Sequence, residues 1–258
     1  TCEFSRFDDP SRASAGELVF LNPLGGGIAL FTTTRPTYGS PNFGLNKSLY
    51  KYAFTRSGEG KPRFGDVMRE AKRESGSNEN GRKFILLGDP AQAIAFPDLK
   101  ISTLSINGKP TGENSDTLKA YDEVTVTGRI ADASGRPVED FNGMVYPTVF
   151  DKAVDQMTLG NDDGTPFAFT LRKSILYKGK VQAAGGAFNF TFIVPRDIAY
   201  RFDYGKISYY ASDGTRDAAG SYSNIVIGGS SGSASSDETG PDIALYMNDD
   251  RFTDGGIT

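Results

Sequence analysis

The sequence has 258 residues, 28 Lys and Arg against 32 Asp and Glu, a net charge of −4, no Trp, no His and a single cysteine, Cys2. That length exceeds one typical domain and predicts two, while scattered basic residues on an acidic background exclude a nucleic-acid footprint. One cysteine excludes an internal disulfide framework and any zinc-ligand spacing, and the lack of histidine removes the usual general base at neutral pH from any chemistry of this chain alone.

No charged n-region precedes an apolar stretch, and no run approaches the ~18 apolar residues of a membrane span. The Gly, Ser, Thr, Tyr and Phe content with one Cys points to an extracytoplasmic, β-rich protein. No metal or cofactor signature is expected from this composition.

In chain order, residues 16–22 (GELVFLN) form a short apolar run, and Gly25, Gly26 and Gly27 punctuate before IALFTTT, a β-rich stretch suited to a strand covered on both faces. A turn-rich loop, 36–41, leads to two amphipathic segments. Phe43, Leu45, Leu49, Tyr50 and Phe54 lie near helical spacing in the first, and Phe64, Val67, Met68 and Ala71 in the second. The polar cluster GSNENG then turns the chain into a second buried strand, KFILLGD. Strand, helix, helix, strand is an α/β order.

From about residue 98 the apolar period changes from 3.6 to 2, as in LKISTLSI, YDEVTVTGRI, AFNFTFIV and KISYYAS. Turn signals at ASGRP, DDGTP, VPRD and SDGT predict about seven or eight short strands in an antiparallel, immunoglobulin-like sandwich without its Cys and Trp hallmarks. A Gly/Ser-rich linker follows, and PDIALYMNDD begins another strand-like segment. The expected organisation is α/β over 1–97, sandwich over 98–228, linker over 229–240 and the start of a further, truncated β domain over 241–258.

Several segments hold candidate chemistry. Cys2 sits in the polar, turn-like context TCEFSRFDDP, where a lone cysteine is either a reactive thiol or a small hydrophobe. The glycine triplet is followed by a strand and by no Lys-Ser/Thr, so it predicts close backbone packing and no phosphate cradle. Polar groups of Thr33, Thr34 and Arg35 follow the first buried strand, where they either line a cleft at a strand end or form a solvated loop. Asp162 and Asp163, like Asp249 and Asp250, lack the ligand spacing of a calcium loop and are read as turn residues. The AKRES charges form a solvated helix face.

Taken in order, TCEFSRFDDP, AGE, GGGIALFTTTRP, FGDVMREAK and FILLGDPAQAIAFP resemble the C-terminal part of the gingipain-like cysteine peptidase domain, over residues 1–97. Within that family the resemblance is to the cell-surface sortases of the type IX secretion system. It implies a caspase-like fold, Cys2 as nucleophile, a partner histidine N-terminal to Thr1, and Thr33, Thr34 and Arg35 in the substrate cleft. The implied activity removes C-terminal secretion signals from cargo proteins through a thioester, with no cofactor. The implied partners are secreted cargo, an outer-membrane secretion component and a lipopolysaccharide acceptor at the cell surface. Without its histidine the chain alone is expected to be inactive. The competing expectation is a non-catalytic, adhesin-like surface module.

Overall fold

The computed structural model describes residues 3–55, 60–76, 78–112, 117–161 and 164–231. Cys2, Asp162, Asp163, Asp249, Asp250, most of the expected linker and the segment 241–258 lie outside the described residues. The chain divides into two compact units, 1–96 and 97–258.

The first unit runs α1 (Ala15–Phe20), β1 (Ala29–Thr33), α2 (Gly39–Phe54), α3 (Phe64–Ser75), α4 (Glu79–Arg82) and β2 (Phe84–Gly88), which contains the expected strand, helix, helix, strand order. The apolar run at 16–22 is largely helical. Ser14 caps it by accepting from the Glu17 amide while the Glu17 carboxylate accepts from the Ser14 amide at 2.8 Å, a reciprocal capping box. Gly26, at φ +99°, meets the backbone of α1, and a Cβ there would lie 2.0 Å from the Val19 carbonyl oxygen. Gly26 therefore serves close packing, whereas Gly25 faces open space.

β1 and β2 pair antiparallel from Ala29↔Gly88 to Thr33↔Phe84. β1 is buried only at Thr32 and Thr33, so the strand expected to be covered on both faces is half-covered. The core forms where α2 and α3 meet β2, with Leu45, Leu49, Val67, Met68, Ala71 and Phe84 buried together. The inward face of α2 also differs from expectation. Leu45, Ser48 and Leu49 turn inward at i, i+3, i+4 spacing, while Phe43, Tyr50 and Phe54 face solvent at 73%, 62% and 64% exposure. Those rings sit on the other side of the helix, where Tyr50 stacks on Phe54 at 5.8 Å and Phe54 meets Phe96 at 5.8 Å. Angular position on the helix, and not ring size, decides which side chains turn inward.

The second unit is built of strands: β3 (Leu99–Ile106), β4 (Lys109–Pro110), β5 (Thr117–Ala120), β6 (Glu123–Ala131), β7 (Gly143–Phe150), β8 (Val154–Met157), β9 (Ala168–Leu171), β10 (Ile175–Lys178), β11 (Val181–Ala183), β12 (Ala187–Ile193), β13 (Asp203–Tyr204), β14 (Lys206–Ser212), β15 (Asp217–Tyr222) and β16 (Val226–Ser230). These are more numerous than expected, because short pairings such as β4 and β13 add strands that carry no periodicity of their own. A nine-stranded sheet has the order β10-β7-β14-β15-β3-β6-β12, with β11 on β7 and β4 on β3. β13-β16-β5 form a second sheet, and β8-β9 a separate ribbon. The pairing is antiparallel except for β15 with β3 and β16 with β5, which are parallel and correct the all-antiparallel expectation.

Alternation explains the packing. Val124, Val126 and Ile130 of β6 and Phe188, Phe190 and Phe192 of β12 all point to one core, as period 2 requires. The large sheet folds back on itself. Tyr177 of β10, at one end of the strand order, stacks on Phe190 and Phe192 of β12, at the other end, with ring centroids at 5.4 and 5.1 Å. Between those layers the Tyr209 hydroxyl and Thr103 share a buried hydrogen bond of 2.7 Å, and burial pushes the Tyr209 phenol well above its ordinary pKa. Phe141 is fully buried in the same core.

Replacing Phe141 with Ala leaves an unfilled volume there and is expected to cost about 3–5 kcal/mol. Phe43→Ala, on the open face of α2, is expected to change stability by no more than ~0.5 kcal/mol. Urea unfolding followed by tyrosine fluorescence separates the two; equal losses would contradict the assigned core.

Candidate functional site

The residues that follow Cys2 are held by three elements of the first unit. Ser5 is fully buried. Its amide donates to the Thr33 carbonyl at 3.0 Å, and its hydroxyl donates to Thr32 Oγ1 at 3.0 Å, which fixes it against the C-terminal end of β1. On the other side, the Gly16 amide in the first turn of α1 donates to the Phe4 carbonyl at 2.7 Å. A Cβ at position 16 would lie 1.7 Å from Ser5 Oγ, so only glycine lets α1 approach this closely. The capping box at Ser14 and Glu17 holds that turn, and hydrogen bonding to the Ser14 amide keeps the Glu17 carboxyl below its usual range. A buried hydroxyl with donor and acceptor both matched is energetically tolerable only in a defined geometry.

Glu3 has φ +59°. A non-glycine residue in this left-handed region is uncommon and persists where the surroundings enforce it. The turn lies directly beside Cys2 in the chain.

The loop after β1 adds a second tie. The Arg35 guanidinium grips the Asp8 carboxylate bidentately, Nη1 to Oδ1 at 2.9 Å and Nη2 to Oδ2 at 2.5 Å, and Nη1 also donates to the Thr34 carbonyl at 2.8 Å. That pairing lowers the Asp8 pKa and raises that of Arg35. Both side chains are about two-fifths exposed, at 41% and 45%, so the pair contributes orientation more than stability. Asp9 is held below its usual pKa by the Ser11 hydroxyl and amide. Arg6 contacts Glu3 at 3.5 Å, and its Nε is buried with no hydrogen-bond partner.

Among the residues expected to line a cleft, Thr33 is buried and its carbonyl holds Ser5. The Thr34 amide and hydroxyl both donate to the Lys83 carbonyl, at 2.9 and 3.3 Å. Arg35 is committed to Asp8. The loop continues into α2, whose first turns line a 370 Å³ cavity together with Ser48, Glu74 and Asn80. Sequence reasoning missed Ser5, Thr32, Gly16 and Asp8. Only the Ser14-x-x-Glu17 spacing gave a local signal for any part of this arrangement; the Asp8 to Arg35 pairing joins residues 27 apart with none. No cluster of His, Cys, Asp and Glu suited to a metal occurs among the described residues.

Gly16→Ala drives a methyl into Ser5 and is expected to destabilise the first unit by about 1–3 kcal/mol, measured by urea unfolding. Because the folded-state Asp8 pKa is lowered, its contribution to stability is present above the unfolded carboxylate pKa and is lost as pH falls through the folded value. In Arg35→Ala the Asp8 carboxyl is expected to titrate upward toward its ordinary value, read by carboxyl carbon NMR. An unchanged Asp8 titration would contradict the clamp.

The model for peptidase family C25 matches residues 1–95. No curated protein matches the chain. Among solved structures, dimeric latent PorU from Porphyromonas gingivalis is similar with a TM-score of 0.52 and 27% identity, over 87% of this chain and 22% of that one. This chain thus spans about a fifth of the length of that PorU. The sporulation control protein Spo0M from Bacillus subtilis matches at a TM-score of 0.30 and 14% identity, over 52% of this chain and 50% of the other, too distant to carry an argument. The resemblance to the gingipain-like cysteine peptidases thus holds over residues 1–95, which match peptidase family C25, and the chain, mostly β-sheet with some helices, is similar in fold to PorU.

Proposed function

We propose that this chain is part of a cell-surface cysteine peptidase or sortase that removes C-terminal secretion signals from type IX cargo, with Cys2 as the nucleophile. The observation that carries the reading is the family C25 match beginning at Cys2's end of the chain, joined to a PorU-like fold over most of its length. In this reading residues 1–97 belong to a caspase-like catalytic domain, and 98–228 form an immunoglobulin-like sandwich that packs or docks.

The chemistry needs a thiolate at Cys2 Sγ. Sγ attacks the carbonyl carbon of the scissile peptide, the C–N bond breaks, and the leaving amine takes a proton from a general acid. The acyl group remains on Sγ as a thioester. Water then releases it as a carboxylic acid, or an amine releases it as a new amide, with a lipopolysaccharide acceptor as the proposed amine. The Cys2 amide contributes to the oxyanion hole. This chain has no histidine, so the imidazole that deprotonates the thiol and protonates the leaving amine comes from elsewhere in the parent protein, and the chain alone is inactive. Thr33 and Arg35 act beside this site chiefly by holding the residues after Cys2, and Thr34 by tying the loop to Lys83. This is favoured by the commitment of Arg35 to Asp8 and of the Thr33 carbonyl to Ser5.

The test is cleavage of a cargo-tail peptide by the longer, histidine-containing protein, its Cys2→Ala variant and this chain. Cleavage by the longer protein alone is expected, with Cys2→Ala losing at least 1,000-fold in kcat/KM, on the order of 4 kcal/mol. Cleavage that survives Cys2→Ala would overturn the assignment, and folded but inactive protein throughout would favour a non-catalytic binding module.

A further inference from the structure

The β8-β9 ribbon of the second unit is not absorbed by the proposed catalytic role. Among the described residues its strands pair only with each other, Val154↔Leu171 through Met157↔Ala168. A two-stranded ribbon has two unpaired backbone edges and is marginal by itself in water. Every residue of β9 is exposed.

Cross-strand partners share a face. One face therefore carries Val154 with Leu171 and Gln156 with Phe169, and the next rung adds Phe167, whose carbonyl accepts from the Thr158 amide at 3.0 Å. Phe167, Phe169 and Leu171 thus form an apolar stripe at i, i+2, i+4, with exposures of 68%, 39% and 46%. Asp155 and Thr170 occupy the opposite face. Such a stripe on a free strand is an aggregation hazard unless something covers it.

Charge indicates what covers it. Between Gly164 and Arg196 the chain has no Asp or Glu, yet it carries Arg172, Lys173, Lys178, Lys180 and Arg196 in a protein of net charge −4. Arg172 and Lys173 directly continue β9. Lys173, Lys178 and Lys180 are exposed and form no ion pair among the described residues, while Arg172 donates to the Tyr204 carbonyl at 3.5 Å and helps hold the Asp203 carboxyl below its usual pKa. The neighbouring Asp203 carboxylate is occupied by Arg201 at 3.0 Å.

We propose that the free edge of β9 is a docking site for an extended, acidic polypeptide segment of another protein, which adds as a strand. Its backbone would complete the β9 ladder, alternate apolar side chains would cover Phe167, Phe169 and Leu171, and its carboxylates would face Arg172 and Lys173. The unpaired backbone edge favours a peptide over a lipid surface, because a bilayer offers no in-register hydrogen-bond partners. This inference does not depend on Cys2 chemistry.

The test uses the whole chain and three fluorescent octapeptides: alternating Glu-Val, alternating Lys-Val, and Glu-Val N-methylated at alternate amides. The Glu-Val peptide is expected to bind, more weakly as salt rises, while the other two bind at least tenfold more weakly. Phe169→Thr with Leu171→Thr keeps β-propensity and is expected to lower Glu-Val affinity at least tenfold. Arg172→Glu with Lys173→Glu is expected to reverse the preference toward Lys-Val. An unchanged urea midpoint shows that these surface variants remain folded. Equal binding of all three peptides, binding of none, capture by phosphatidylglycerol vesicles in place of peptide, or self-association that Phe169→Thr abolishes would each overturn the proposal.

Discussion

Ser5 is the point at which the residues after Cys2 join the fold. Its amide and hydroxyl are both spent on the end of β1, and α1 closes over it through the one residue type that fits, Gly16. A buried serine released from Thr32 and Thr33 would leave buried polar groups unmatched, which is costly. The close seat of α1 against the residues after Cys2 depends on that fit. Arg35 and Asp8 extend the same logic to the surface, where their pairing fixes direction at little energetic gain.

For a nucleophile such restraint is the useful property. A thiol carried on a freely rotating terminus samples many orientations, and the entropy lost on each productive encounter lowers the rate. In the proposed chemistry the strand end supplies a rigid base, while the imidazole comes from another region of the parent protein. The second unit obeys a different economy. Its core comes from alternation along many short strands, and ring stacking between β10 and β12 draws the two ends of one sheet together. Its exposed ribbon is the place where alternation produces an apolar stripe that the described chain leaves partly open.

The period switch near residue 98, helices α2 and α3 and both strands of the first unit were legible, because each rests on local spacing, whereas α1 and α4 were not. The capping box at Ser14 was written in the sequence too, as the Ser14-x-x-Glu17 spacing that opens α1. The inward face of α2 was less legible, since Phe43, Tyr50 and Phe54 outrank Leu45 and Leu49 in size but lie on the other side. The parallel pairings of β15 with β3 and β16 with β5 had no local mark, because strand order is decided by contacts distant in sequence. The holding of Ser5 and Asp8 was hidden for the same reason. The resemblance over residues 1–95 agrees with the family C25 match, yet it could not show that Thr33, Thr34 and Arg35 spend polar groups on the chain itself.

The most direct measurement is hydrogen exchange at the Ser5 amide of this chain, followed by NMR beside the amides of β1 and β2. If the residues after Cys2 are fastened to β1, Ser5 exchanges as slowly as the paired amides of the β1-β2 ladder and speeds up with them in Gly16→Ala. Exchange at the rate of an unstructured peptide, with the β1-β2 amides still protected, would contradict the account.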